Sequence, residues 1–409
     1  MKQFNRRKFL KASAATAAAT MASPLFASSK STAGEDYKAI VCVLLEGGAD
    51  SFNMVVPKND VKAYAKYSDA RGDMALKREN LRALVKSDYG FHPNMPRMQR
   101  MFNHENLAVI ANVGTLNKPV SNAEIKDAKK GTGISGLPNQ LFSHVAQRDL
   151  WMMAGNEDIG WAGKVADELN QDFTNISVGG QNMMQQAGEK RAFIAHDDVF
   201  GLIDDPSEIM KKLKRVGVDV NFDGDDTVSG KSLGEQLEMV VKLIEARKDA
   251  NFPSRQIYFV RYDGWDTHDK SICEGKSCES GGKKIDNLDR SLGAFASALE
   301  QLGLLDKVTT FTTSDFGRTI NSNNNGADHG WGGHAFAFGG AVNAGFYGKM
   351  PKIQKNSPDA LANSAVVPTT SVEQYMATLV EWLGDGKIDL QKVFPNLANF
   401  DKKTLGFMV

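Results

Sequence analysis

Two buried strands separated by a long amphipathic helix constrain the fold of this chain more than any other feature. The first predicted strand covers 256–261 (QIYFVR) and the second begins at Val308. Between them, apolar residues recur at helical spacing: Ile285, Leu288, Leu292, Phe295, Leu299 and Leu302. A strand–helix–strand order implies that the two strands are parallel neighbours and that the helix crosses one face of the sheet.

Polar loops follow both strands. The first strand leads into DGWDTH at 263–268, and the second leads into SDFGR at 314–318. A third apolar run of strand length, 38–45, leads into EGGAD at 46–50. The carboxyl ends of parallel strands lie at one edge of a sheet, where open α/β proteins bind ligands. The sequence therefore predicts an α/β fold, doubly wound, with a mostly parallel central sheet, helices on both faces and a ligand site at this edge.

Carboxylates and imidazoles are concentrated in these loops and in the polar stretch that follows. The candidate metal ligands are Asp50, Asp266, His268, Asp315, Asp328, His329 and His334. Such a cluster is unfavourable unless a cation or the counter-charges of an anionic substrate compensate it. Aspartate with histidine suits zinc or manganese, and carboxylate-rich sets suit magnesium or calcium. We therefore predict a divalent metal site whose metal the sequence does not identify.

A predicted helix begins near residue 140 and runs to Trp151, with Ser143 and His144 near its start. A hydroxyl at the positive end of a helix can act in an active site. Ser143 can equally be an N-cap that only satisfies backbone N–H groups. The residues alone favour the cap.

The first residues carry an export signal. Residues 5–11 (NRRKFLK) form a twin-arginine pattern, and an alanine-rich apolar stretch follows. We predict that 1–33 is a twin-arginine signal peptide, cleaved after Ala27 or within the next several residues. Elsewhere no run approaches the roughly 20 apolar residues of a membrane span. The mature chain is thus predicted to be exported through the twin-arginine translocase and to contain no transmembrane segment.

Net charge and length limit the partners and the number of domains that the chain can have. The 409 residues include 49 basic and 49 acidic side chains, which gives no electrostatic support for binding nucleic acid. We predict a single domain over 36–409, with the irregular range 155–230 as an insertion or lid. Within that range, 219–230 begins like a calcium loop, but Gly230 stands where a bidentate glutamate is required, so an acidic turn is favoured.

Three cysteines fit an oxidising compartment. Cys42 lies within the first strand and is predicted to be a buried apolar residue. Cys273 and Cys278 bracket a short loop, and a local disulfide is favoured over a structural zinc site because zinc requires four ligands.

Several motifs together carry a family resemblance. After the leader come LLEGGADSFNMVVP, LFSHVAQRDLW, DGWDTH, SDFGRT and GADHGWGGHAFAFGGAVNAGFYG, in that order. The sequence resembles the domain of unknown function 1501 family, an exported branch of the alkaline phosphatase and sulfatase superfamily. This resemblance implies an alkaline phosphatase-like fold in which strand-end Asp and His residues hold one or two divalent metals beside a Ser, Thr or formylglycine nucleophile.

The resemblance also implies roles for single residues. Asp266 and His268 resemble one ligand loop, Asp315 the next, and His329 or His334 the late histidine ligand. Glu46 or Asp50 would supply the ligand after the first strand. Ser143, with His144 beside it, resembles the nucleophile.

At two points the sequence differs from the motifs of the superfamily, and these differences limit the expected metal content and reaction. Phe316 follows Asp315 where the superfamily usually has histidine, which removes one ligand, so one metal or none is favoured over two. None of the cysteines lies in a Cys-x-Pro-x-Arg signature, which argues against a formylglycine sulfatase.

Two classes of function follow. The first is a metal-dependent hydrolase of small phosphate or sulfate esters, in which Ser143 or a bound water attacks and Arg318 forks onto the anion. The second is a non-catalytic cell-envelope protein that keeps the fold and binds or assembles with an envelope protein partner.

Overall fold

The computed structural model describes residues 36–130, 137–138, 140–155, 158–190, 192–195, 227–228, 231–247, 252–268 and 281–409. The predicted signal segment and the Cys273–Cys278 pair lie outside these residues, as does most of the 219–230 loop.

The described strands, in chain order, are β1 Lys38–Leu45, β2 Val55–Pro57, β3 Arg82–Ala83, β4 Tyr89–Phe91, β5 Leu107–Gly114, β6 Asn175–Ser177, β7 Phe193–Ile194, β8 Thr227–Val228, β9 Lys231–Ser232, β10 Arg255–Tyr262, β11 Val308–Ser314, β12 Gly333–Phe338, β13 Gly345–Tyr347 and β14 Thr370–Ser371. The α-helices are α1 Ser51–Met54, α2 Val61–Arg71, α3 Pro96–Asn103, α4 Asn122–Lys129, α5 His144–Met153, α6 Trp161–Leu169, α7 Leu233–Ala246, α8 Gly281–Gln301, α9 Val372–Leu383 and α10 Leu390–Val393.

The central sheet contains nine of the described strands. Its order is β13-β5-β12-β11-β1-β10-β6-β7, and β14 also pairs with β5. Every neighbouring pair is parallel except the two pairs that β12 makes with β11 and β5. The predicted mostly parallel α/β sheet is confirmed. Because β6 and β7 belong to it, the described part of 155–230 contributes to the central sheet instead of lying wholly outside it.

Both faces of the sheet are covered, because successive side chains of a strand point to opposite sides. Along β1, Val41 and Val43 pack into a core that includes residues of α7 and α8, such as Leu237 and Leu288. Their neighbours Ile40, Cys42 and Leu44 pack into a second core with α6 and α9. Helices therefore lie on both faces, as predicted for a doubly wound fold.

Cys42 is a buried free cysteine, as predicted. Burial raises the pKa of its thiol to about 12, and a hydrogen bond with Thr313 acts in the opposite direction. It therefore behaves as a small apolar residue.

The reversed direction of β12 positions the site. A strand antiparallel to β11 begins at the edge where β11 ends, so the residues just before β12 lie beside those just after β1, β10 and β11. Helix α5 begins at His144, in the connection that follows β5. None of the helices in the described ranges has both the length and the apolar character needed to cross a membrane.

Candidate metal centre

Three residues from distant parts of the chain place ligand atoms around one point. One such atom from each of His144, Asp266 and His329 lies within 4.8 Å of the others. The Nε2 atoms of the two histidines are 3.0 Å apart, and Asp266 Oδ1 lies 3.4 Å from the first and 3.6 Å from the second. Zinc–nitrogen bonds of about 2.0–2.1 Å in a tetrahedral site place ligand atoms roughly 3.3 Å apart. The three side chains therefore have the spacing of ligands to one cation.

His268 contacts the same group. Its Nε2 is 2.8 Å from His329 Nε2 and 3.1 Å from Asp266 Oδ1. Its Nδ1 lies 3.6 Å from the carboxylate of Asp328, which therefore lies behind a histidine and not among the converging atoms. We refer to His144, Asp266, His268 and His329 together as the histidine–aspartate centre.

The tautomers of two histidines follow from their partners. His144 Nδ1 is 2.8 Å from Asp315 Oδ2, and His329 Nδ1 is 2.8 Å from the carbonyl oxygen of Phe142. Both partners are acceptors, so each Nδ1 carries the hydrogen and each Nε2 presents a lone pair. Two lone pairs that face each other at 3.0 Å repel unless a cation or proton lies between them. This donor set fits a divalent cation, and the Nδ1 contacts are those expected of metal-bound histidines.

Asp315 supports this fit from behind His144. It is 1% exposed, and its Oδ2 also accepts the backbone N–H of Gly47 at 3.1 Å. Its Oδ1 is buried and has no hydrogen-bond partner within the described ranges. A buried carboxylate oxygen without a partner is costly, so a nearby cation would stabilise it. Asp315, a predicted ligand, contacts the candidate ligand His144 and is not among the three residues whose ligand atoms converge.

Gly47 allows the loops to approach each other. Its φ of +118° favours glycine, and a Cβ at this position would lie 2.4 Å from the backbone nitrogen of Asp266. The tight contact between the β1 and β10 exits therefore requires a residue without a side chain.

Charge keeps two members of the centre in a metal-binding form. Burial opposes ionisation of Asp266, but the hydrogen bond and charge of Arg318, with smaller contributions from His144 and His268, leave its pKa below the ordinary value. The pKa of His329 is also lowered, mainly by burial; the bond to Phe142 opposes this, and the neighbouring positive groups add to it. Both groups therefore favour the deprotonated form, which metal binding requires.

Arg318 is not available to a substrate, contrary to the prediction that it forks onto the anion. Its side chain is fully buried and donates to the carbonyl oxygens of Gly47, Gly48, Trp265 and Ala327. It also donates to Asp266 Oδ1 at 2.7 Å. Arg318 therefore ties three loops together and fixes the Asp266 carboxylate.

Asp50 does not reach the centre. It is buried and forms an ion pair with Arg71, which is equally buried. Arg71 also donates to the carbonyl oxygens of Thr319 and Ile320. The predicted ligand is thus half of a buried structural pair that anchors helix α2 to the segment after β11.

His334 is also remote from the converging atoms. It lies within β12, its Nδ1 accepts the backbone N–H of Asn112, and its ring packs edge-on against Phe52. Burial lowers its pKa to about 3, so the ring is neutral. Of the two late histidines, the structure brings only His329 to the centre.

Ser143 and Glu46 have other partners. Ser143 is the N-cap of α5, and its Oγ accepts from Ala146 at 3.5 Å. Glu46 forms ion pairs with Arg148 and Arg261. The Phe142 carbonyl that orients His329 was not predicted. Every residue has a backbone carbonyl oxygen, so residue type does not indicate which one accepts a hydrogen bond.

The fold and the centre together define an α/β protein with a candidate cation site at the carboxyl edge of its sheet. Residues 235–404 match the family model described as protein of unknown function (DUF1501), and residues 3–23 match the twin-arginine translocation pathway signal sequence. The resemblance to the 1501 family is thereby confirmed over that region, and the chain is exported by the twin-arginine pathway.

The remaining comparisons are with curated proteins and with solved structures. A search of curated proteins finds no match. Among solved structures, the lipoteichoic acid synthase LtaP from Listeria monocytogenes is 11% identical, with a TM-score of 0.42, over 93% of this chain and 76% of that chain. A protein in the alkaline phosphatase superfamily from Vibrio parahaemolyticus is 13% identical, with the same TM-score and the same coverage of both chains.

Proposed function

We propose that this exported protein is a metal-dependent hydrolase of small phosphate or sulfate esters. The observation that carries the proposal is the pair of facing Nε2 atoms on His144 and His329, each fixed by an acceptor at its Nδ1. His144, Asp266 and His329 would hold one divalent cation, with His268 beside them.

The surrounding residues have supporting roles. Asp315 and the Phe142 carbonyl keep the two rings oriented, and Arg318 holds Asp266 ionised. When bound, a divalent cation at such a centre supplies positive charge that polarises ester oxygens and lowers the pKa of a water molecule. The side chains of Asp266 and His268 are 48% and 43% exposed, so a small ester can reach the centre.

Ser143 is the proposed nucleophile, and a water molecule is the alternative. In the chain, the serine stands between Phe142, whose carbonyl oxygen lies 2.8 Å from His329 Nδ1, and His144, a member of the centre. Its cap bond of 3.5 Å is long and weak, so little energy opposes rotation of the hydroxyl. Ester hydrolysis that survives Ser143→Ala would exclude the serine and favour water.

Metal content tests the centre directly. Protein exported natively and analysed by elemental mass spectrometry should contain close to one zinc, manganese, magnesium or calcium ion per chain. His329→Ala should lose the ion, because one of the converging nitrogens is removed. His334→Asn should retain it, since the asparagine oxygen can still accept the N–H of Asn112 and the residue lies outside the centre. Metal loss in both variants, or in neither, would contradict the assignment.

Activity tests the reaction. Phosphomonoesters, phosphodiesters and sulfate esters should be screened with the metal-loaded protein, and turnover should disappear in His329→Ala but persist in His334→Asn. A metal-loaded wild type that hydrolyses none of these esters would reject the proposed reaction.

A second function, that of a non-catalytic envelope protein, is favoured by one observation. The two side chains expected to act on the substrate, Ser143 and Arg318, are engaged in helix capping and in backbone hydrogen bonds. A metal-loaded but inactive protein that co-purifies with an envelope partner would support this function.

A further inference from the structure

A positive side chain beside a bound cation would strengthen the binding of an anionic ester, and Arg318 is committed to other partners. Two other arginines near the centre are partly exposed: 23% of the Arg148 side chain and 34% of the Arg261 side chain are accessible. Both form ion pairs with one carboxylate, that of Glu46.

Arg148 lies on the same helical face as a member of the centre. It follows His144 by four residues in α5, and side chains at this spacing are neighbours on a helix surface. Its guanidinium contacts Glu46 Oε1, while Arg261 Nε lies 3.4 Å from Glu46 Oε2. The carboxylate therefore lies between two cations.

Glu46 is joined to the loops of the centre through its backbone. Its N–H donates to Tyr262 at 2.9 Å, and its carbonyl accepts from Trp265 at 3.0 Å. The next residue, Gly47, donates to Asp315 and packs against the backbone of Asp266. The two arginines are therefore held beside the loop that carries Asp266.

We propose that Arg148, together with Arg261, forms an oxyanion-binding subsite of the histidine–aspartate centre, and that Glu46 is an internal anion competing for the same guanidinium groups. Glu46 offsets one of these two positive charges, and Asp263 also interacts electrostatically with Arg261, so Arg148 is the main candidate. The planar fork of arginine matches the oxygens of phosphate and sulfate groups. The ligand class is a tetrahedral oxyanion, either free or as part of an ester, and this subsite rests on the proposed function.

Binding of inorganic phosphate and of inorganic sulfate to the metal-loaded protein, measured by calorimetry, tests the subsite. Arg148→Met should weaken binding about tenfold, because it removes a charge-assisted hydrogen bond. Arg148→Lys should weaken it less, since the charge remains without the fork. Glu46→Gln should strengthen binding several-fold, because the competing carboxylate is lost; a purely structural ion pair would not produce that gain.

Arg290→Met is the matched control. Arg290 pairs with Asp286 on the exposed side of α8, so its loss should leave anion binding unchanged. A melting temperature for each variant separates unfolding from lost binding. Unchanged binding in Arg148→Met, or weaker binding in Glu46→Gln, would overturn the subsite.

The free and esterified anions are distinguished by kinetics with an aryl phosphate and an aryl sulfate. Arg148→Met should raise KM by a factor similar to its loss in anion affinity. Phosphate binding that depends on Arg148, without turnover of any ester, would uphold the subsite and reject the hydrolase. Turnover with an unchanged KM in Arg148→Met would support the hydrolase and reject the subsite. A wild type that binds neither anion rejects the subsite.

Discussion

At the scale of single residues, the centre depends on which ring nitrogen carries the hydrogen. Asp315 holds the hydrogen on Nδ1 of His144, and this leaves Nε2 free to face His329. The carboxylate is buried and cannot turn toward solvent. The orientation of the His144 ring therefore depends on a side chain outside the histidine–aspartate centre.

Asp315→Asn should weaken metal binding by about 10-fold to 100-fold, a typical effect of removing an outer-shell carboxylate. Asparagine keeps the shape, but it removes the negative charge that makes His144 a stronger donor. Competition with a chromophoric chelator measures the change. Asp328→Asn is the control, because Asp328 is exposed and lies 3.6 Å from its histidine. Equal losses in both variants would contradict the special role of Asp315.

The same residues show which parts of the site could be predicted from the sequence alone. Asp266, His268 and His329 were predicted as ligands because each lies in a loop beside a buried strand, and strand ends meet at one edge. Asp50 and His334 satisfied the same local pattern, yet their partners are Arg71 and a backbone N–H of a distant strand. Those contacts arise between segments far apart in the chain, so residue type and spacing could not exclude either side chain.

At the scale of elements, the direction of β12 decides which residues reach the site. The short apolar run at 335–338 is typical of a strand, but residue type does not reveal the direction of that strand. Because β12 is antiparallel to both neighbours, the loop before it carries His329 to the edge where β10 and β11 end. The α/β class could be derived from the strand–helix–strand pattern, whereas one reversed strand depends on how a polar loop crosses the edge.

Helix α9 provides a second element with a testable property. Its first turn carries a capping box, with reciprocal bonds between Ser371 and Gln374. Between them in the chain, Glu373 is 3% exposed, and its Oε1 accepts from Asn396 at 2.7 Å. Its Oε2 is buried without a hydrogen-bond partner within the described ranges. Burial raises the pKa of this carboxyl to about 7, although bonds from Asn396 and Leu397 lower it in part.

Glu373→Gln should stabilise the protein by about 1–3 kcal/mol at pH 8. The folded pKa lies above the ordinary value of 4.5, so the stabilising contribution of the protonated form is present at low pH and lost as the pH rises through about 7. Glutamine imitates the protonated form at every pH. Urea unfolding at pH 8 and pH 4 should show a gain at pH 8 that falls toward zero at pH 4. Glu381 is exposed on the same helix, so the control variant Glu381→Gln should not show a gain in the free energy of unfolding at pH 8 that disappears at pH 4.

At the scale of the whole molecule, two buried histidines make the free energy of unfolding depend on pH. His92 directly follows β4 and His334 lies within β12. Each Nδ1 accepts a backbone N–H, from Asn94 and Asn112 respectively. Each Nε2 is buried and has no partner within the described ranges. Burial lowers the pKa of both rings to about 3; at His92 the charge of Arg82 contributes further.

The double variant His92→Asn, His334→Asn should therefore be less sensitive to acid than the wild type. The folded pKa of each ring, about 3, lies below the ordinary 6.5, so the stabilising contribution of each neutral ring is present above pH 6.5 and lost as the pH falls toward 3. The loss is about 1.4 kcal/mol per pH unit for each ring. Asparagine can still accept the backbone N–H but does not titrate in this range.

Urea unfolding of the metal-free protein at pH 7 and pH 4.5 measures the effect. The free energy of unfolding of the double variant, relative to wild type, should rise by about 3–5 kcal/mol between the two values. The difference between the variants, and not the absolute stability, is the proper measure, because carboxyl groups such as Glu373 change stability in the opposite sense as the pH falls. A relative stability that stays constant with pH would show that the two rings take up protons in the folded protein as readily as in the unfolded chain.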